Sequence, residues 1–310
     1  MAAITLAEYA KGEEGQLRRG IIEIFSEGPL LGLMPIDTIP GGGYFYNTEA
    51  SLPSVQFRAI NEGYTADAGV INNQSEALKI VGGDLDVDLF LIRQYGPEKR
   101  GQQVAMKTKA LRMAVEAKLI KGDSLSDPRE FDGLQVRIPA GTTQYVDAGQ
   151  NGAALSLGML DDLIDRVDAT DAPRILVCNR TIGRLLTAAQ RNSSVSGFIS
   201  NTPDSLGRTV TRYNGIPLVF LDMDNTGAQI LPFSETKGSS NATTSIYCLQ
   251  PGDGFFHLIQ GLGGVDVRDL GEIDTASVAR TRIDWSLGMV IEHGRSVARL
   301  AGITNSAVVA

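Results

Sequence analysis

Histidine and cysteine carry the chemistry most easily read from a sequence, and this chain holds two of each: His257, His293, Cys178 and Cys248. Two histidines are too few for a histidine-rich metal centre, and any nucleophilic triad would have to be built on one of them. His257 lies in the apolar run Phe255-Phe256-His257-Leu258, where an imidazole is expected to be structural. Cys178 and Cys248 each sit in a short apolar run, Ile-Leu-Val-Cys and Ile-Tyr-Cys-Leu, the setting of buried free thiols, although sequence alone leaves a disulfide between them open. Asp222-Met223-Asp224-Asn225-Thr226-Gly227 opens like a calcium loop, but its twelfth position is Phe233 where a bidentate Glu is needed, so it reads as a turn. Asp161, Asp162 and Asp165 sit near a helix start, where acids complement the dipole without a metal. Gly261-Leu262-Gly263-Gly264 lacks the strand and helix of a nucleotide site, and no Gly-x-Ser-x-Gly, Walker or Cys-x-x-Cys pattern occurs. Neither catalysis, cofactor nor metal is expected. The competing reading is an α/β enzyme over residues 154–260, with a titrating pair around Asp161, His257 or Cys178.

The element around which the chain is arranged is a long helix predicted over 97–121. Pro97 suits a first turn, no breaker follows Gly101, and Gly122 ends the run. At about 100° per residue, Val104, Leu111, Val115 and Leu119 share one side, and Met106, Ala110, Met113, Ala117 and Ile120 the opposite one. Two apolar faces predict a helix gripped from both sides. Lys109, Arg112 and Glu116 form one polar seam; Lys107, Lys118 and Lys121 form the other.

With 310 residues, 43% of them hydrophobic, the chain is long enough for two packed units. No apolar run approaches the ~18 residues of a membrane span, and Glu8, Glu13 and Glu14 occupy what would be a signal peptide, so a cytoplasmic chain without a membrane partner is expected. A net charge of −8 argues against a dedicated nucleic-acid binder. The long helix differs, with seven basic residues (Lys99, Arg100, Lys107, Lys109, Arg112, Lys118, Lys121) against Glu98 and Glu116: either a solvated face or one that looks toward a polyanion. No internal repeat is visible.

Residues 1–47 combine a weakly helical piece, 20–25, with Gly/Pro-rich stretches and with Leu30, Leu31, Leu33, Met34, Ile36, Ile39, Tyr44, Phe45 and Tyr46, too apolar for a free tail. The segment is predicted to be extended and bound against another surface. Residues 48–84, with Val55-Gln56-Phe57-Arg58 and Leu78-Lys79-Ile80-Val81, read as a long hairpin that is marginal by itself. Leu85 to Leu91 alternate as a strand leading to the helix, and Gln135-Val136-Arg137-Ile138 reads as another. Between 154 and 260 the predicted elements are a helix capped by Ser156, a strand at Ile175 to Cys178, a helix over 179–190, and a hairpin on Asn214-Gly215. The loops 192–207 and 222–244 are placed at a rim. Ile283, Trp285, Leu287, Met289 and Ile291 alternate with wetter residues, a strand suited to one side of the long helix, and 296–303 is a last strand.

The long helix, Ile120-Lys121-Gly122-Asp123, the run Pro128-Arg129-Glu130-Phe131-Asp132-Gly133-Leu134 and the closing strand, in this order, resemble the major capsid proteins of tailed bacteriophages with the Hong Kong 97 fold. Phe-Asp-Gly-Leu after a long helix is the most specific motif. The resemblance implies an α+β fold: an N-arm (1–47), an extended E-loop hairpin (48–84), a P domain with a long spine helix and a β-sheet (85–153, spine 97–121, with returning strands 262–310), and an A domain with a central sheet and flanking helices (154–261). It implies hexamers and pentamers of this chain tiling an icosahedral head, assembled in the bacterial cytoplasm, that encloses double-stranded DNA non-specifically and meets portal, scaffolding or decoration proteins. No scaffolding segment precedes the N-arm, so a scaffold is expected to be separate or already removed. Leu31, Phe45, Phe57, Tyr64 and Lys79 are the expected inter-subunit contacts; Lys107, Lys109 and Arg112 are expected to face the lumen. Some members cross-link an E-loop lysine to a neighbour; Lys79 lies in that loop, but no partner asparagine or catalytic acid is identifiable and the bond is not expected. An encapsulin-like compartment, which shares the fold, is the alternative.

Overall fold

The computed structural model describes residues 4–5, 16–96, 98–168, 173–191, 197–203, 209–274 and 276–309. The chain begins with β1 (Ile4–Thr5), α1 (Gln16–Ser26), a single 3₁₀ turn (Leu31–Leu33) and β2 (Pro35–Ile39). A ribbon follows, β3 (Gly43–Ser51) and β4 (Val70–Ala77), then β5 (Lys79–Asp88), α2 (Leu89–Tyr95), α3 (Glu98–Lys121) and α4 (Leu134–Arg137). Next come β6 (Tyr145–Asp147), α5 (Leu157–Asp165), β7 (Ile175–Asn179), α6 (Arg180–Gln190), β8 (Ile199–Pro203), β9 (Thr209–Tyr213) and β10 (Ile216–Leu221). The last elements are β11 (Glu235–Lys237), β12 (Ser240–Leu249), β13 (Phe256–Ile273), β14 (Ala276–Ile291) and β15 (Val297–Thr304).

Two sheets organise these elements. The first runs β1-β2-β13-β14-β5; the second runs β6-β15-β12-β7-β10-β9-β8, with β11 on β12. In the first, the alternation of β14 puts Ile283, Trp285, Leu287 and Met289 into the core, where α3 presents Val104, Leu111, Val115 and Leu119. Each such side chain removed from water is worth about 1.5–3 kcal/mol, so this seam is what holds the long helix. The outer face of the sheet is charged: Arg280 and Arg282 of β14 make two-pronged pairs with Asp86 and Asp84 of β5 at 2.6–2.8 Å. The second sheet has its own core, including Leu176, Cys178, Ile246, Cys248 and Leu300, covered by α5 and α6. Ser156 caps α5 and Asn179 caps α6, and Asn214 (φ 48°) with Gly215 (φ 80°) turns β9 into β10.

Several expectations are corrected. Of the two apolar faces of α3, the one bearing Met106 is left mostly open: Met106 is exposed, Ala110, Met113 and Ala117 are half-buried, and only Ile120 is covered fully. The strand expected to run through Leu91 stops at Asp88, whose carboxylate accepts the Phe90 amide and starts α2. Residues 134–137 are a helical turn, because the Gly133 carbonyl accepts the Val136 and Arg137 amides. The segment 222–244 is not all rim, since Ile230 and Leu231 are buried in the first core. β15 does not return to the first sheet; it lies between β6 and β12 in the second, which divides the expected unit 262–310. Pro97 and most of 192–207 lie outside the described residues. Among the described residues no helix is long and apolar enough to cross a membrane.

Candidate assembly interface

The ribbon carries at its tip apolar side chains that the described residues of its own chain leave uncovered. β3 and β4 pair from Gly43↔Ala77 to Ser51↔Val70, and between them residues 52–69 form an irregular tip. The tip is shaped internally: Ser54 donates to Asp67 at 2.9 Å, Ala59 to Glu62 at 2.9 Å and Thr65 to Gln56 at 3.2 Å, while Arg58 stacks over the Tyr64 ring. Its apolar side chains Leu52, Val55, Phe57, Ile60 and Tyr64 are all exposed, Phe57 completely. Five large apolar residues held in a fixed shape in water mark a surface made to be covered.

The root of the ribbon is anchored on both strands. On β4, Glu76 receives Arg137 through its two terminal guanidinium nitrogens at 2.5 and 2.8 Å. On β3, the Tyr44 hydroxyl donates to Glu292, and Tyr44, Tyr46 and Leu78 pack over Ile39, Ile259 and Val290. The ribbon therefore leaves the body in a defined direction. Sequence reading missed these anchors, because nothing local to Tyr44 signals a partner 248 residues away.

The expected contact residues divide. Phe45, Phe57 and Tyr64 are exposed on the ribbon. Leu31 is completely buried in its own chain, so its assignment as an inter-subunit contact is withdrawn. With it goes the idea that the whole opening segment needs a neighbour: Ile21, Ile22, Phe25, Leu30, Met34 and Ile36 fill the first core, with Phe25 on Trp285 at a ring distance of 5.0 Å. Lys79 is not in the loop; it opens β5 and donates to the Pro128 carbonyl at 2.8 Å.

Of the basic residues on α3, Lys109 is exposed and Lys107 half-exposed. Arg112 is no free cation: it donates to the Ile24 carbonyl at 3.0 Å and lies 3.6 Å from Glu27, which binds it to the end of α1. One turn further, buried Glu116 accepts the amides of Leu30 and Leu31 at 3.2 and 3.3 Å. Burial raises its carboxyl pKa, while those two amides and Arg112 pull it down. A Cβ at Gly28 would collide with the same carboxylate. The polar seam read as a solvated or polyanion-facing stripe is thus, in part, the dock for residues 24–31.

The Phe131-Asp132-Gly133-Leu134 motif has a local cause. Asp132 accepts the Ser124 amide at 2.8 Å, the Gly133 amide donates to the Gly122 carbonyl at 2.9 Å, and Leu134 is wholly buried. A Cβ at Gly133 would strike the Ile120 carbonyl, so the loop after α3 can close only on glycine.

The residues named for the enzyme reading take structural places. Cys178 belongs to the core of the second sheet, His257 lies under the ribbon root, and Asp161 accepts the Tyr213 hydroxyl at 2.8 Å. Cys178 and Cys248 are free thiols, and burial pushes both up to about 12. Asp224 satisfies itself on Thr226 and Ala228, the turn expected of it. Among the described residues no cluster of three metal-ligating side chains occurs.

A five-stranded sheet against a long helix, a second sheet flanked by helices, and a projecting ribbon together make the Hong Kong 97-type capsid fold. Solved structures agree with this. The SrpI encapsulin of Synechococcus elongatus is similar at TM-score 0.67 and 17% identity, over 91% of this chain and 89% of that one. The capsid protein of cyanophage A-1(L) gives 0.65 and 13%, over 89% and 93%, and the capsid of an empty GTA particle gives 0.60 and 13%, over 89% and 90%. At these identities the likeness is one of fold. No family model matches the chain, and no curated sequence does.

Proposed function

We propose that this chain is the major capsid protein of a tailed phage, assembling through hexamers and pentamers into an icosahedral head around double-stranded DNA. The observation that carries the reading is the ribbon: a preformed apolar tip, anchored at its root and left uncovered by its own chain. In a closed lattice each tip is covered by a neighbouring copy, and many modest contacts add up. Phe45, Phe57 and Tyr64 are then inter-subunit contacts, and Lys107 and Lys109 face the lumen. A mildly acidic chain encloses DNA without gripping it. Portal, scaffolding and decoration proteins are the other partners, and the bacterial cytoplasm is the place of assembly.

A second reading is an encapsulin-like compartment, favoured by the likeness to the SrpI encapsulin. Electron microscopy of the purified chain tests both, since closed particles are expected and a monodisperse monomer at every concentration rejects both. Nuclease-protected DNA inside particles recovered from producing cells supports the head. A co-purifying folded enzyme in place of DNA supports the compartment.

A further inference from the structure

β3 crosses the first sheet on the side opposite its main core, laying Tyr44 and Tyr46 over Ile39, Ile259 and Val290. At the edge of that patch His257 is completely buried, and neither ring nitrogen has a hydrogen-bond partner. The Tyr44 ring stands edge-on to the imidazole with centroids 5.8 Å apart, and the Tyr44 hydroxyl donates to Glu292. Three carboxylates face the imidazole: Glu292 just beyond β14, Asp253 in the turn ahead of β13, and Asp37 on β2. Of the titratable groups on β3, Tyr44 and Tyr46 are the ones that pack in this patch. His293 is engaged elsewhere, packed on Phe255 with its Nδ1 accepting the Arg295 amide at 3.3 Å.

We infer that Tyr44, His257 and Glu292 form a proton-operated latch, which holds the ribbon root on the first sheet and lets it go when His257 takes up its second ring proton.

Hydrogen-bond supply is the reason. An imidazolium carries two N–H donors and a charge, and this site gives neither donor an acceptor. A buried charge needs a partner, and the carboxylates are the groups able to supply one. Glu292 is the one already engaged with the ribbon; turning it to the imidazolium leaves the Tyr44 hydroxyl without its acceptor. Burial keeps the Tyr44 hydroxyl protonated, so it cannot take the ring proton in exchange. β3 then loses its polar anchor, while β4 stays tied through Glu76 and Arg137, and the ribbon pivots on that pair. Burial also lowers the His257 pKa, with the three carboxylates opposing in part, so release falls below the ordinary histidine value of about 6.5.

The test uses the full chain at concentrations where it is unassembled, and is independent of whether it forms shells. Spin labels on Phe57→Cys at the tip and Lys109→Cys on the long helix report the ribbon angle; the native thiols are buried and unreactive. Between about pH 7.5 and about pH 5 a single narrow distance is expected to shift or broaden by several ångströms, with the midpoint of the His257 resonance rather than that of His293. His257→Gln is expected to keep the narrow distance at both pH values, and Tyr44→Phe to be broad at both. A distance unchanged in the wild type, or a step that persists in His257→Gln, overturns the latch. If His257→Gln does not fold, the wild-type comparison decides: a midpoint away from the His257 titration overturns it equally.

Discussion

Single side chains settle how the two ends of this chain are joined to its middle. Glu116 is the acceptor for two buried amides of the opening segment, so Glu116→Ala orphans both, at about 1–3 kcal/mol for each group, measured by denaturant unfolding. The pH dependence has a definite sign. A carboxyl raised by burial holds its proton more tightly folded than unfolded, so the stability that it adds in acid is lost as pH rises from the ordinary 4.5 through the folded value. Glu116→Gln removes this slope, and unfolding curves collected on either side of that window are expected to show it. At the other end, Arg299 on β15 pairs with Glu235 at 3.0 Å, donates to Ser245 at 3.0 Å and to the Gln135 carbonyl at 3.2 Å, and both members of the ion pair are nearly buried. Arg299→Met leaves the nearly buried Glu235 carboxylate with the Ser245 hydroxyl but no countercharge, costing about 3–5 kcal/mol; adding Glu235→Gln is expected to return part of that loss.

At the scale of elements, the ribbon separates folding from assembly. Replacing 53–68 by Asn-Gly keeps the β3 and β4 pairing and removes the apolar tip. Unchanged thermal unfolding with no particles is the expected outcome; normal particle yield would remove the tip from the interface. The β9–β10 turn is a purely structural counterpart. Gly215 has φ 80°, so Gly215→Val is expected to cost about 1–2 kcal/mol of stability in denaturant unfolding without altering the oligomeric state by light scattering. Elements whose pattern is local were legible in advance: α3, α5, α6, β7, β10 and β14. Residues 85–91 and 134–137 were misread because a capping Asp88 and the Gly133 carbonyl, each a single atom's choice, outweighed an alternation of only a few residues.

Among the described residues, the body packs its own cores and the ribbon tip is left uncovered. Protease is therefore expected to cut the free chain within 52–69 and to spare that stretch once particles form, as read by mass spectrometry of the fragments. The opening residues were expected to share the ribbon's dependence, since their glycines, prolines and leucines look the same in sequence. What separates them is that 21–36 find Trp285 and α3 within reach, while the tip, lifted away on its two strands, stays exposed among the described residues.

The sequence by itself determined the local patterns: the period-two run of β14, the helix caps and the Asn-Gly turn are all short-range, and backbone geometry turns them into faces and turns without reference to the rest of the chain. Only the tertiary structure decided which faces meet. Glu116 and Leu30 are 86 residues apart, β15 chose the second sheet over the first, and Tyr44 found Glu292, because such pairings depend on which distant surfaces are complementary once the whole chain is packed, and no local period carries that information.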